Sequence, residues 1–156
     1  MGQRLTVCAV VLISVLSVQG WPGGAPSNIC FEGYVPNHGN TVGITNNNYK
    51  IEIKRLTNNN FGVELSHPTN SLFRGFLIYP VDITETPIGG GEFTNLDTNT
   101  KNFSCNGVSL ITHTNNSLKQ TVLAEYKTTT TEPAGFKAVV VITDHEDYYI
   151  LSSLNQ

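Results

Sequence analysis

The chain has 156 residues, a formal net charge of −3 and only 13% charged residues, which is enough chain for one domain with one core. The mildly acidic balance contains no basic stripe, and this argues against nucleic acid as a partner. Asparagine, threonine, β-branched and aromatic residues are all frequent. This composition is typical of an ordered β-protein with a polar, weakly charged surface, and it excludes a disordered chain.

The first 20 residues have the pattern of a secretory signal peptide. Arg4 supplies a short positive region, and the apolar run from Leu5 to Val18 suits a signal peptide but is short for a membrane span. We expect cleavage after Gly20, which leaves one domain over residues 21–156. The alternative is an uncleaved anchor, but no stop-transfer pattern follows the run. No later segment is apolar enough to span a membrane, so we expect a soluble, secreted, extracellular protein.

After the signal, the Pro/Gly-rich segments 21–28 and 30–40 are predicted to be irregular. Two alternating runs follow, residues 49–54 and 61–65, with an asparagine turn at residues 58–60 between them. Alternation of apolar and polar residues is typical of half-buried strands. The two runs therefore predict a hairpin, whose core-facing side chains are Ile51, Ile53, Val63 and Leu65.

The next run, Phe73 to Tyr79, is almost continuously apolar, which is typical of a central strand, and Pro80 is expected to end it. Pro87 to Gly91 is predicted to be a turn or bulge; its three glycines do not open a helix, so they do not form a phosphate loop. Further strands are predicted at residues 92–94, 109–114, 120–127, 136–143 and 148–154. About eight strands without a convincing helix predict an all-β fold, a Greek-key β-sandwich.

The cysteines indicate how the domain is cross-linked. Cys8 is removed with the signal peptide, which leaves Cys30 and Cys105. In an oxidising compartment these two predict a disulfide, and closing a loop of about 75 residues stabilises the fold by roughly 4 kcal/mol in the chain-entropy model. The alternative is a pair of free buried thiols.

Two N-x-S/T sequons predict N-glycosylation, at Asn102 and at Asn115. Each predicts an exposed loop if it is used. Asn115 lies in a clear turn, whereas access at Asn102 is tighter because Cys105 is close. Asn115 is therefore the favoured acceptor.

The residues contain no catalytic motif, and we expect a protein that is not an enzyme, with no metal and no cofactor. There is no G-x-S-x-G elbow, and the four histidines are scattered without metal-binding spacing: His38, His67, His113 and His145. The acidic cluster Asp144–Asp147 is interpreted as a solvated turn, with a divalent-cation site as the alternative. His113, between two threonines, is interpreted as a hydrogen-bonded strand residue, with ligand contact as the alternative.

Exposed aromatic side chains would suit contact with carbohydrate. Tyr148 and Tyr149 are adjacent in a predicted strand, so they must point to opposite faces. Core or rim packing is the favoured interpretation of both, and no ligand-contact residue is predicted.

A series of short segments runs through the mature chain, and in this order it resembles the reeler domain of small secreted insect defence proteins. The segments are Gly24-Ala25-Pro26 before Cys30, Pro36-Asn37-His38-Gly39, Tyr49-Lys50-Ile51, Phe73-Arg74-Gly75-Phe76-Leu77-Ile78, Ile88-Gly89 with Gly91-Glu92-Phe93, Cys105 with Ile111-Thr112-His113-Thr114, and Phe136-Lys137-Ala138. The chain departs from the family at Tyr126, where tryptophan is frequent, and in the loop 128–135.

The resemblance implies an immunoglobulin-like sandwich and a disulfide between Cys30 and the cysteine before Thr-His-Thr, which is Cys105. It also implies a role in innate immunity, with possible antimicrobial activity and with bacterial or fungal cell-surface polysaccharide or lipopolysaccharide as partners. The alternative is an extracellular structural or carrier protein of haemolymph or matrix, without antimicrobial activity. Membrane lysis is disfavoured because lytic chains are usually cationic.

Overall fold

A computed structural model describes residues 21–36, 48–142 and 148–154 of the chain. These residues form one short 3₁₀-helix, Ser27–Cys30, and nine strands. The strands are β1 (Lys50–Thr57), β2 (Asn60–Ser66), β3 (Gly75–Val81), β4 (Gly91–Thr94), β5 (Thr100–Cys105), β6 (Val108–His113), β7 (Val122–Thr128), β8 (Gly135–Val141) and β9 (Tyr148–Leu154). The signal segment, His38, and the acidic cluster with His145 lie outside the described residues.

The strands form two antiparallel sheets packed as a sandwich. The four-stranded sheet has the order β1-β2-β7-β4, and the five-stranded sheet has the order β5-β6-β3-β8-β9. Neighbours such as β2 and β7 are distant in sequence, so the chain crosses between sheets as in Greek-key sandwiches. The predicted all-β sandwich is confirmed. The hairpin is confirmed too, with Ile51 opposite Leu65 and Ile53 opposite Val63.

The described residues contain nine strands, one more than the eight predicted. β5 has no apolar alternation, because only its end residues Thr100 and Cys105 are buried. It is an edge strand, and an edge strand need not present a regular apolar face. The signal for it was the turn: Asn106 and Gly107 both have positive φ, 51° and 84°, and Asn-Gly is typical of a two-residue hairpin turn.

The prediction that Pro80 ends its strand was wrong, because β3 continues through it to Val81. The carbonyl of Pro80 accepts a hydrogen bond from the amide of Ile88 (3.1 Å). The nitrogen and carbonyl of one strand residue face the same side, so the proline nitrogen also points away from β8. The pairing of β3 with β8 therefore loses no hydrogen bond at Pro80.

The core between the two sheets is rich in aromatic side chains. Phe93 on β4, Tyr126 on β7 and Phe136 on β8 are at most 1% exposed. Their ring centroids lie 5.0 to 5.8 Å apart, the range in which aromatic rings attract each other. We call this the inter-sheet core; Ile51, Phe61, Val63, Leu65, Ile78 and Val140 are among its other members.

A second core lies on the outer face of the five-stranded sheet. Alternate residues of β3, Leu77, Tyr79 and Val81, point there, which explains why every residue of β3 is buried. Residues 21–36, which we call the N-terminal segment, cover this face. The molecule therefore has three layers, and we call the contact between the segment and the sheet the outer core.

Candidate binding surface

The N-terminal segment carries two largely exposed aromatic side chains, Trp21 (56% exposed) and Phe31 (83%). The other large hydrophobic side chains that are exposed in the described part of the chain are aliphatic: Leu56, Leu72, Ile83, Leu118, Leu123 and Leu154. The candidate aromatic side chains predicted from the sequence were Tyr148 and Tyr149, and not Trp21 and Phe31. Tyr148 is buried in the outer core and Tyr149 packs half-buried against the inter-sheet core, so their opposite orientation is confirmed.

The middle of the N-terminal segment is held by a cross-link and by packing. Cys30 and Cys105 form a disulfide with a Cα–Cα distance of 5.3 Å. Ile29 is 2% exposed in the outer core, and the ring of Tyr34 lies 4.9 Å from the ring of Tyr79. Phe31 therefore projects from a part of the chain whose neighbours on both sides are tied to the sheet.

The start of the segment is held by the last two residues of β6. The Thr112 hydroxyl accepts a hydrogen bond from the amide of Ala25 (3.0 Å) and donates one to the carbonyl of Phe76 (2.7 Å). The Nε2 of His113 lies 3.0 Å from the carbonyl oxygen of Trp21. Gly24 approaches this point with φ at +103°, and a side chain there would collide with the carbonyl oxygen of His113.

The two neighbours of His113 determine its tautomer. Its Nδ1 lies 3.2 Å from the amide nitrogen of Phe76 and 3.4 Å from the Phe76 carbonyl oxygen. The shorter contact, and the carbonyl oxygen of Trp21 beside Nε2, favour the tautomer in which Nδ1 accepts from Phe76 and Nε2 donates to Trp21. Burial is the largest cause and lowers the pKa of His113; the Trp21 and Phe76 backbone partly oppose this, and the cations Lys119 and Lys101 add smaller lowering contributions. His113 is a neutral, buried residue that joins elements, as the structural interpretation predicted.

His67 is also engaged in its own loop. It is 8% exposed, and its Nδ1 accepts a hydrogen bond from the amide of Thr69 (3.2 Å). His38 and His145 lie outside the described residues. Within those residues, no cluster of three or more histidine, cysteine or acidic side chains has the arrangement of a metal site, and no helix is long and apolar enough to cross a membrane.

Lys119 is a buried cation that the sequence did not reveal. It is 4% exposed, and its Nζ donates to three carbonyl oxygens, those of Arg74 (2.9 Å), Asn115 (2.7 Å) and Ser117 (2.8 Å). Burial lowers its pKa. One ammonium group thus ties the β6–β7 loop to the chain just before β3. A lone lysine in a polar loop has no sequence pattern that would predict this.

The two sequons differ in their surroundings. Asn102 lies on the edge strand β5, not in the predicted loop, and its amide nitrogen donates to the carbonyl of Phe93 (2.9 Å). Asn115 lies in the predicted loop after β6, where its side-chain oxygen accepts from the amide of Ser117 (3.0 Å). Asn102 therefore bridges the edges of the two sheets, while Asn115 caps its own turn.

The outer face of the four-stranded sheet differs from the surface of the N-terminal segment. Glu52 and Glu64 lie opposite each other on β1 and β2, and Leu123 on β7 is opposite Glu64. Leu123 is 57% exposed, nearly the same as Trp21. This face is charged and its exposed apolar side chains, Leu56 and Leu123, are aliphatic, so it offers a matched comparison for the aromatic surface.

A family model for the reeler domain matches residues 30–153, which include both sheets, both cysteines and the Thr-His pair. The chain belongs to the reeler domain family. The resemblance seen in the sequence is confirmed at this level. No curated protein matches the chain closely enough to identify a relative.

Solved structures support the same fold for this reeler domain. The crystal structure of the human F-spondin reeler domain (fragment 1) aligns with a TM-score of 0.56 at 15% identity, over 74% of this chain and 95% of that chain. The Reelin-N domain of F-spondin gives 0.56 at 16%, over 83% and 97%. ChBD2 from Thermococcus kodakarensis KOD1 gives only 0.40 at 7%, over 67% and 98%, too distant to support an argument about this chain.

Proposed function

We propose that this reeler-domain protein is secreted and acts in innate immunity by binding microbial surface polymers, either bacterial or fungal polysaccharide or lipopolysaccharide. The observation that carries the proposal is the pair of exposed aromatic rings, Trp21 and Phe31, on the anchored N-terminal segment. An apolar ring face suits stacking against the apolar face of a sugar ring. The protein acts by binding and not by catalysis.

The anchoring of the segment supports binding through these rings. A mobile side chain contributes less to the binding affinity, because ordering that side chain and its backbone on binding costs free energy. The disulfide and the buried Ile29 order the backbone beside Phe31, and the bonds from Thr112 and His113 order the backbone at Trp21 and Ala25. Folding therefore already orders much of the backbone that carries the two rings, and binding loses less conformational entropy.

Several observations support export. The N-terminal pattern of residues 1–20 is that of a signal peptide, and Cys30 and Cys105 lie within disulfide distance, which suits an oxidising compartment. Cleavage after Gly20 makes Trp21 the first residue of the mature chain. The aromatic side chain then stands at the free end of the protein, where a surface-bound polymer has access.

The test is retention of the oxidised mature protein on whole bacteria, yeast and their isolated polymers in physiological salt. We expect saturable retention that the double variant Trp21→Ala/Phe31→Ala loses. A ring contact worth about 1.4 kcal/mol corresponds to a tenfold change in affinity, so the double variant should bind at least about tenfold more weakly. Leu123→Ala, on the outer face of the four-stranded sheet, is the matched control and should bind like the wild type.

Two results contradict the proposal. Equal loss in Leu123→Ala would indicate nonspecific apolar adhesion. Absence of retention on every surface would favour the alternative, an extracellular structural or carrier protein. Neither result would change the finding that the chain belongs to the reeler domain family.

A further inference from the structure

His113 connects two parts of the molecule that have different roles. On one side, its Nδ1 accepts from the amide of Phe76 in the centre of the five-stranded sheet (3.2 Å). On the other side, its Nε2 donates to the carbonyl of Trp21 (3.0 Å). The ring therefore sets the distance between the sheet and the residue that carries an exposed aromatic side chain.

We infer that His113 is a positioning residue: it orients Trp21 for polymer contact at neutral pH and releases Trp21 when acid protonates the imidazole. The inference rests on the proposed function, since it concerns the same binding surface. It does not require His113 to touch the polymer. The residue acts through the backbone of Trp21.

The effect of acid follows from the hydrogen bonds and from burial. A second proton would be added to Nδ1, which lies 3.2 Å from the amide nitrogen of Phe76 and 3.4 Å from the Phe76 carbonyl oxygen. Protonation therefore removes the bond from the Phe76 amide and places a charge on a ring that is only 9% exposed. The charged groups that face the ring are Lys101 on β5 and Lys119 in the β6–β7 loop, both cations. From β3 the ring meets the backbone and the uncharged ring of Phe76, and from the N-terminal segment it meets the backbone of Trp21. The imidazole therefore binds the second proton more readily when Trp21 is undocked. Docking of Trp21 weakens as the pH falls below the ordinary histidine pKa of about 6.5.

Trp21 is the only tryptophan in the chain, so intrinsic fluorescence reports on it directly and needs no ligand. Two substitutions separate the functions of the ring. His113→Asn places an acceptor near the Nδ1 position but does not reach Trp21, whereas His113→Gln places a donor near the Nε2 position but has no acceptor for Phe76. We expect His113→Asn to lower tryptophan anisotropy and increase quenching by acrylamide, and His113→Gln to stay close to the wild type.

A pH titration completes the test. The wild type should lose anisotropy as the pH falls below about 6.5, and His113→Gln, which does not titrate there, should not. Equal effects of the two substitutions on anisotropy, or no acid-dependent change in the wild type, would overturn the inference, because a purely structural ring predicts both.

A second pair of variants leaves the histidine intact. Gly24→Ala pushes the segment away from the His113 carbonyl, whereas an added methyl group at Gly23 meets nothing within 4 Å. We expect lower anisotropy and weaker polymer retention in Gly24→Ala, and neither change in Gly23→Ala; unchanged anisotropy in Gly24→Ala would contradict the inference. If the fluorescence results hold but the wild type binds no polymer, the proposed function fails and the positioning of Trp21 by His113 stands.

Discussion

The inter-sheet core and the outer core are built by different means. In the inter-sheet core, alternate residues of regular strands from both sheets interlock, so many side chains share the burial. In the outer core, one sheet is covered by 16 residues that contain only a single turn of 3₁₀-helix. That segment is held by the disulfide, by hydrogen bonds from Thr112 and His113 of β6, and by the packing of a few side chains such as Ile29 and Tyr34. Substitutions that remove contacts in the inter-sheet core should destabilise the whole fold. Substitutions that remove contacts in the outer core should release only the N-terminal segment.

The largest effect is expected at the centre of the inter-sheet core. Phe136→Ala removes a ring that contacts Phe93 and Tyr126 at 5.8 and 5.2 Å, and large-to-small changes of this kind cost about 3–5 kcal/mol. Denaturant unfolding followed by circular dichroism should show one cooperative transition at a lower midpoint. A separate early transition would mean that the two sheets unfold independently.

The disulfide comes next. Replacing Cys30 and Cys105 together by alanine should lower the free energy of unfolding by about 2–4 kcal/mol. Since the cross-link holds the outer core, we expect hydrogen exchange to rise first in residues 24–35 and on β5. The wild type treated with reductant is the control. Uniform loss of protection over both sheets would contradict the distinction between the two cores.

An intermediate effect is expected from Lys119. Lys119→Met keeps the apolar stem but leaves three carbonyl oxygens without their donor, and unsatisfied buried acceptors are costly. We expect a loss of about 2–3 kcal/mol by chemical denaturation. Lys127→Met, on an exposed position of β7, is the control and should be close to neutral. A neutral Lys119→Met would show that the carbonyl oxygens find water.

The smallest effect has the opposite sign. The Tyr126 hydroxyl is buried without a hydrogen-bond partner among the described residues, and burial raises the pKa of this phenol to about 12. Tyr126→Phe removes the polar atom and keeps the ring packing, so we expect equal or greater stability, by up to about 1 kcal/mol. Thermal melting of the two proteins measures this. A clear loss of stability would indicate that the hydroxyl has a partner.

Most of the architecture could be predicted from the chain, and most of the candidate binding surface could not. The alternation at Ile51, Ile53, Val63 and Leu65 predicted the first hairpin because a strand with one buried face has a period of two. Edge strand β5 has no such face, so only its Asn-Gly turn pointed to it. Trp21 and Phe31 lie in a segment without periodicity, and nothing in their local pattern distinguishes an exposed ring from a buried one.

The sequence by itself determined the all-β class and most strand positions, and it predicted the pairing of Cys30 with Cys105 that the structure contains. These depend on local periodicity, turn residues and a count of two. Only the tertiary structure decided that residues 21–36 form a third layer, that His113 joins this layer to β3, and that Lys119 is caged by carbonyl oxygens. Each of these depends on contacts between residues 37 to 92 positions apart or on backbone groups that are the same in every residue, so no local pattern encodes them.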